Sequence, residues 1–200
     1  MNDRNNGKDE DEAEAVHPTA CQTFESSFTV ERTQVKDVLR ALLLAILFQR
    51  TYSTVSPTTL DVLGITFSIP NDPELAKTVT DRVDAFWRTI GSVRNWNGQI
   101  SLIFSEKRPK KTWFAKGEED VAWEKWILNV QVQTGQSERQ RTSISTDYTQ
   151  PALQALLLKM LRFVNKYKDH VPLITESSST DGAGGTKPSW SWAIIFGSGG

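Results

Sequence analysis

The sequence predicts an α+β fold: a single domain of mostly antiparallel sheet with three main helices packed on it. Three segments carry apolar residues at helical spacing, and five others alternate apolar and polar residues with a period of two. The elements follow one another as β-α-β-α-β-β-α-β, and two strands in direct succession favour α+β over a doubly wound sheet. A length of 200 residues favours one domain over two.

The first two helices have clear patterns. The first is predicted over residues 33–50, where apolar residues recur at i, i+3, i+4 and i+7. The second is predicted to begin after Asn71 and Asp72, which are N-cap candidates, with Pro73 in its first turn and Gly91 just beyond its end.

The third helix is predicted from Pro151 to about Tyr167. Its apolar residues cover roughly half of the circumference, which indicates a helix enclosed by more than one neighbour. Its polar face is interrupted by Leu158, which lies between Gln154 and Arg162 on the helical wheel.

The predicted strands share one-sided alternation, which indicates a sheet with one solvated face. They are Phe24–Val30, Leu63–Ile69, Ile100–Phe104, Trp126–Val132 and Trp190–Phe196.

Composition and charge exclude several classes of protein. The net charge of −1 argues against a general nucleic-acid binder, and the single cysteine, Cys21, excludes an intramolecular disulfide framework. The longest apolar run, Ala41–Phe48, is far shorter than the ~20 residues of a membrane-spanning helix.

Acidic residues concentrate in residues 1–20, which we predict to be a disordered tail, and serine and glycine in residues 176–188 predict a flexible connector.

The sequence predicts no catalytic, cofactor-binding or metal site. His170 follows a helix end beside Pro172, where a histidine is usually a cap or a partner of the helix dipole. Cys21 has no nearby histidine or lysine to lower its pKa, so we expect an inert thiol. The adjacent carboxylates of residues 118–120 are most simply a solvated surface.

The polar segment of residues 107–122, between the third and fourth predicted strands, is the most informative. Its first half is basic, its second half is acidic, and Trp113 and Phe114 lie between the two. Three interpretations remain open: the pair folds back against the sheet edge, projects as an anchor into a partner's pocket, or stacks on bases. If the pair is an anchor, four basic residues of this segment would attract an acidic partner and speed its association. These basic residues are Lys107, Arg108, Lys110 and Lys111.

Four stretches together resemble the autophagy-related protein 101 family, in its fungal type. They are Val35–Arg50, GQISLIF at Gly98–Phe104, the TWF tip, and WEKWILNVQV at Trp123–Val132. The paired tryptophans of WEKW after an aromatic tip are the most specific of these motifs, and the resemblance covers about residues 24–196. It implies a single HORMA domain over residues 21–200, in which residues 107–122 form a projecting hairpin loop.

The resemblance also implies a non-enzymatic scaffold in autophagosome formation, without a cofactor, in the cytoplasm and at the phagophore assembly site. The expected partners are the HORMA domain of autophagy-related protein 13, which the scaffold stabilises in a heterodimer, the autophagy-initiation kinase complex, and downstream autophagy factors. Trp113 and Phe114 match the family's WF finger, which implies recruitment of those factors. Family dimers pair through the third helix, which makes Leu158 and Arg162 candidates for the partner interface. Neither nucleic acid nor a membrane span is expected.

A second hypothesis is a peptide-clamping HORMA adaptor of the spindle-checkpoint type. Its mobile C-terminal segment must cross the domain and add strands. Only Trp190–Phe196 and the four residues after it are available for that, so the scaffold is favoured.

Overall fold

A computed structural model describes residues 20–50, 56–90, 96–112, 115–133, 144–172 and 190–198. The helices are α1 (Val35–Arg50), α2 (Pro73–Ile90) and α3 (Ile144–Lys166). The strands are β1 (Gln22–Glu31), β2 (Pro57–Val62), β3 (Ile65–Pro70), β4 (Trp96–Thr112), β5 (Ala115–Gln133) and β6 (Trp190–Ser198). The predicted tail, apart from its last residue, and the predicted connector lie outside the described residues.

The main sheet has four strands in the order β1-β5-β4-β6. β4 is antiparallel to both of its neighbours, and β1 runs parallel to β5. One face of the sheet buries alternate side chains, among them Phe24, Leu102, Trp126 and Ile194. The α+β prediction is confirmed, and the arrangement of three helices with a mainly antiparallel sheet is consistent with a HORMA-like domain.

α1 is the most deeply buried element. Leu42, Leu43, Leu44 and Ile46 point in successive directions around the helix, yet all four are fully excluded from solvent. The helix contacts β3, α2 and α3. The third helix also packs against more than one neighbour, β1 and α1, as its broad apolar stripe predicts, although Leu158 stays exposed.

α2 begins as its sequence predicts. Oδ1 of Asp72 accepts hydrogen bonds from the backbone N–H groups of Glu74 and Leu75, each at 3.0 Å. Asp72, rather than Asn71, is therefore the N-cap residue.

A second, two-stranded sheet pairs β2 with β3 in antiparallel register, and the sequence does not predict β2. The β2 sequence PTTLDV is mostly exposed and lacks a clear alternation of apolar residues. The sequence also places Leu63 in a strand, but Leu63 and Gly64 form the turn between β2 and β3, with φ of 53° and 73°. A two-residue turn that matches strand twist requires positive φ at both positions, which overrides the preference of leucine for strand or helix.

α3 begins at Ile144, well before the predicted start at Pro151. Proline favours the first turn of a helix because it lacks an N–H group, and this rule suggested a start there. In the structure Pro151 lies inside the helix, where it removes one backbone hydrogen bond. Burial of Leu153, Leu156 and Met160 immediately after it offsets that loss.

Candidate interaction surfaces

β4 and β5 form a hairpin that extends beyond the rest of the main sheet. β1 starts to pair with β5 at Glu124, and β6 pairs with β4 only as far as Glu106. Beyond these residues, no other strand in the described part of the chain pairs with the hairpin. The sequence predicts a projecting hairpin loop over residues 107–122. The structure has a hairpin there, but its two strands stay paired as far as Thr112 and Ala115 instead of opening into a long loop, because backbone hydrogen bonds do not require apolar side chains.

Trp113 and Phe114 lie between the last paired residues of the hairpin and outside the described residues. The described ladder ends with the pair Thr112 and Ala115. The exposure of the two aromatic side chains stays a prediction.

The charges at the base of the hairpin are arranged in pairs. Lys107 lies opposite Asp120 in the register, and its Nζ is 3.6 Å from Oε2 of Glu118. Nε of Arg108 donates to Oε1 of Glu106, whose side chain is buried. Because these cations are neutralised within the hairpin, Lys107 and Arg108 supply less free positive charge for steering than the sequence suggests.

A β-bulge turns two consecutive residues of the WEKW motif inwards. Phe104 pairs with Glu124 and Ser105 pairs with Ala122, so Trp123 is an extra residue on β5. Strand residues normally alternate between the two faces, but Trp123 and Glu124 are both buried here.

Glu124 is the centre of a buried polar cluster at the base of the hairpin. Arg50 Nε donates to its Oε1 over 2.8 Å, and Trp126 Nε1 donates to the same oxygen over 2.5 Å. His170 Nε2 lies 2.7 Å from the other carboxylate oxygen, Oε2. The cluster therefore connects the end of α1, the strand β5 and the turn that follows α3. His170 is thus a partner of a buried carboxylate, which corrects the prediction of a helix cap.

The cluster holds Glu124 in its ionised form. Burial by itself would raise the pKa of this carboxyl group, but the contacts from His170, Arg50 and Trp126 outweigh burial and lower the pKa below its ordinary value of 4.5. Both Nη atoms of Arg50 are buried without a hydrogen-bond partner, so the guanidinium relies on Glu124 for compensation.

The sequence contains a signal for this cluster. Glu124 continues the buried positions of β5 occupied by Trp126 and Leu128, and Arg50 follows Ile46 by four residues on the apolar stripe of α1. Two opposite charges on two apolar stripes indicate a buried ion pair, although the sequence does not show that the stripes meet.

α3 is docked on the sheet by one face. Its Phe163 packs edge-on against Phe24 and Trp126, with ring centroids 5.3 Å and 5.0 Å away. Lys159 Nζ donates to the backbone carbonyl of Glu25 over 2.8 Å. These contacts fix the rotation of α3 and therefore decide which of its residues face outwards.

The outward face of α3 includes two leucines. Leu158 is 48% exposed and Leu161 is 40% exposed, and Gln154, Arg162 and Asn165 surround them on the same face. Leu158 and Arg162, the candidate interface residues, are both exposed, and their role in binding a partner stays a prediction. Leu158 and Leu161 are thus large apolar residues of α3 that are exposed to solvent. This surface is a candidate for protein–protein contact.

The described residues also include Cys21, the single cysteine of the chain. Burial raises the pKa of the exposed Cys21, in agreement with an unreactive thiol. Over the described ranges, no group of three His, Cys, Asp or Glu side chains is placed to hold a metal ion. In those same ranges, no helix has the length and apolarity needed to span a membrane.

A family model described as "Autophagy-related protein 101" matches residues 27–178, well over half of the chain. The chain belongs to the autophagy-related protein 101 family. The matched residues contain α1, the β4–β5 hairpin and α3, and they end before β6. Membership of the autophagy-related protein 101 family assigns the chain a role in autophagy.

Two members of the autophagy-related protein 101 family show the extent of the similarity. "Autophagy-related protein 101" of Schizosaccharomyces pombe is 35% identical over 129 residues, which cover 64% of this chain and 70% of the relative. "Autophagy-related protein 101" of Arabidopsis thaliana is 30% identical over 177 aligned positions, and the alignment covers 78% of this chain and 80% of the relative. The family resemblance stated from the sequence motifs is confirmed.

Proposed function

We propose that this protein is a non-enzymatic scaffold that forms a HORMA–HORMA heterodimer with autophagy-related protein 13 and recruits downstream autophagy factors. It works without a cofactor as a subunit of the autophagy-initiation kinase complex, in the cytoplasm and at the phagophore assembly site. Family membership supports the autophagy role, and two surfaces of this chain support the finer proposal.

The observation that carries the heterodimer is the exposure of Leu158 in the middle of the outward face of α3. Leu161 lies beside it, and the surrounding residues are two amides and a guanidinium rather than a ring of like charges. A small apolar centre with a polar rim is the usual composition of a protein–protein interface. The aromatic contacts of Phe163 hold the opposite face of the helix, so this surface is presented in one orientation.

The hairpin supports the recruitment function. Its paired strands extend past the ends of β1 and β6 as far as Thr112 and Ala115, which flank Trp113 and Phe114 in the sequence. A tryptophan at the end of such a projection suits an anchor that inserts into a partner's pocket. We do not propose the peptide-clamping alternative, because β6 is already paired with β4 from Trp190 to Ser198.

Calorimetric titration with the HORMA domain of autophagy-related protein 13 tests the heterodimer. We expect Leu158→Glu with Arg162→Glu to weaken binding at least tenfold while the monomer keeps its melting temperature. Thr78→Glu with Arg82→Glu, on the exposed side of α2, makes the same change in charge and should bind like the native protein. Equal affinities for all three proteins would place the interface elsewhere.

A further inference from the structure

The two edges of the main sheet differ in how they are protected from pairing with another chain. β1 forms one edge and β6 forms the other. β1 carries Glu25 and Glu31, and Lys159 of α3 donates to the backbone carbonyl of Glu25 over 2.8 Å. Charged side chains and a covering helix are two of the usual means by which an edge strand is kept from binding a further strand.

β6 is an edge strand without charge. Its nine residues, Trp190–Ser198, include neither a charged residue nor a proline, and all nine pair with β4 without a shift in register. Among the described residues, no strand pairs with the outer side of β6. The contact of α2 with β6, Phe86 against Phe196, lies on the core face of the sheet and not along its edge. A regular strand of this kind is a template for a further strand.

An apolar surface runs across the open face of the sheet to this edge. Ser101 of β4 lies opposite Ile127 of β5 on one side and opposite Ile195 of β6 on the other, so the three side chains share the face that is turned away from the core. Ile127 is half-buried and Ile195 is 49% exposed. An exposed isoleucine beside an unpaired edge indicates a contact that continues the sheet.

The sequence of β6 is complementary to itself. In an antiparallel pair centred on Ile194, all nine residues of β6 find a partner in β6 of a second copy. On the open face, the large Ile195 then lies opposite the small Ala193 of the second copy. On the core face, Trp192 lies opposite Phe196 of the second copy, and both aromatic side chains are half-buried and therefore available for contact. Aromatic pairs directly across two strands stabilise a sheet.

The charges of the chain also suit a second copy. Since β6 is uncharged, two copies bring no like charges together at the contact. The net charge of the whole chain is −1, so the two molecules repel each other weakly. A two-fold contact uses the β6 edge of both copies and therefore closes at two.

We propose that β6 pairs in antiparallel register with β6 of a second copy, which joins two four-stranded sheets into one continuous sheet. α3 packs on β1, at the opposite edge, so its outward face stays free in both copies. The antiparallel register directs the two β4–β5 hairpins towards opposite ends of the joined sheet. The pair of copies thus presents two α3 surfaces and two hairpins, and its formation does not depend on the function proposed above.

Analytical ultracentrifugation of the full chain, over a range of micromolar concentrations, tests the proposal together with amide hydrogen exchange. We expect a reversible equilibrium of monomer and dimer, and slower exchange of alternate amides in residues 190–198 where the dimer predominates. A chain that stays monomeric, species larger than a dimer that grow with concentration, or a dimer without protection of β6 would each overturn the proposal. Protection of β6 only after addition of the HORMA domain of autophagy-related protein 13 would assign the edge to that partner, and would also overturn it.

Matched variants locate the contact. Ile195→Lys places two lysines diagonally across the two-fold contact, and the exposed position tolerates a charge in the monomer. We expect the dissociation constant of the dimer to rise at least tenfold, while the melting temperature of the dilute monomer stays unchanged. Ile127→Lys makes the same change on the same face, two strands away from the edge, and should dimerise like the native chain. Equal weakening by both variants would mean that the open faces associate instead of the edges, and would overturn the proposal.

Discussion

Arg50, the last residue of α1, donates from Nε to Oε1 of Glu124 over 2.8 Å, and both side chains are completely buried. The two residues are 74 positions apart in the chain. Glu124 is also where β5 leaves the edge of β1 and continues into the projecting hairpin. The ion pair therefore ties the central helix of the core to the base of the hairpin.

The first prediction concerns this ion pair. Glu124→Gln leaves the Arg50 guanidinium buried without a counter-charge, so we expect a loss of about 3–5 kcal/mol in the free energy of unfolding. Arg50→Met with Glu124→Leu removes both charges, and it should recover a large part of that loss. Urea unfolding of the three proteins measures these differences.

The exposed pair of Lys77 and Asp81 on α2 is the control for that series. Asp81→Asn should leave the free energy of unfolding nearly unchanged, because exposed ion pairs contribute little. A double apolar variant as unstable as Glu124→Gln would show that lost packing, rather than an unpaired charge, causes the effect.

The second prediction is a dependence of stability on pH. The pKa of Glu124 is lower in the folded protein than its ordinary value of 4.5, so folding favours the ionised form. The resulting stabilisation is complete above pH 4.5, and it is lost as the pH falls through the folded pKa. Urea unfolding at several pH values below 6 should show a steeper loss for the native protein than for Glu124→Gln. The control is Glu74→Gln, an exposed replacement in the first turn of α2, which should lose stability with falling pH as steeply as the native protein. Parallel curves for all three proteins would exclude Glu124 as the source of the pH dependence.

The third prediction follows from the proposed heterodimer. A partner that binds only the folded state stabilises it by about 2.7 kcal/mol at a hundredfold excess over Kd. For a chain of this size, that corresponds to a rise of roughly 5–10 °C in the melting temperature. Because linkage is reciprocal, autophagy-related protein 13 should also melt higher in the mixture. Two unshifted transitions in differential scanning calorimetry at micromolar concentrations would contradict a stabilising pair.

The fourth prediction concerns the end of the hairpin. If Trp113 and Phe114 are a recruitment anchor, Trp113→Ala with Phe114→Ala should cost far less than the roughly 3–5 kcal/mol expected for one buried aromatic residue. Heterodimer formation should persist, while recruitment of downstream factors to the assembly site and autophagic flux should fall. Trp123→Ala, in the buried part of the same hairpin, is the comparison and should be strongly destabilising. If the Trp113→Ala, Phe114→Ala variant is as unstable as Trp123→Ala, the pair belongs to the core. If the variant has normal stability and normal autophagic flux, the pair has no recruitment function.

Patterns within short segments were sufficient to predict most of the elements of this fold. The stripe of α1, the Asp72 cap of α2 and the alternation around Trp126 each reflect interactions between residues that are close in the chain. Such interactions have a fixed period and can be counted. The WEKW motif and the aromatic tip indicated the family for the same reason, because they are local.

Other features depended on contacts between distant segments. The turn conformation of Leu63 follows from the pairing of β2 with β3, and the continuous ladder of residues 107–112 follows from backbone hydrogen bonds that do not require apolar side chains. The exposure of Leu158 depends on which side of α3 faces β1. The contacts of Phe163 and Lys159 with β1 determine that side. From the sequence, one could see that Glu124 and Arg50 each interrupt an apolar pattern. Only tertiary packing decided that the two meet, because a buried charge is stable only where the fold brings its counter-charge within hydrogen-bond distance.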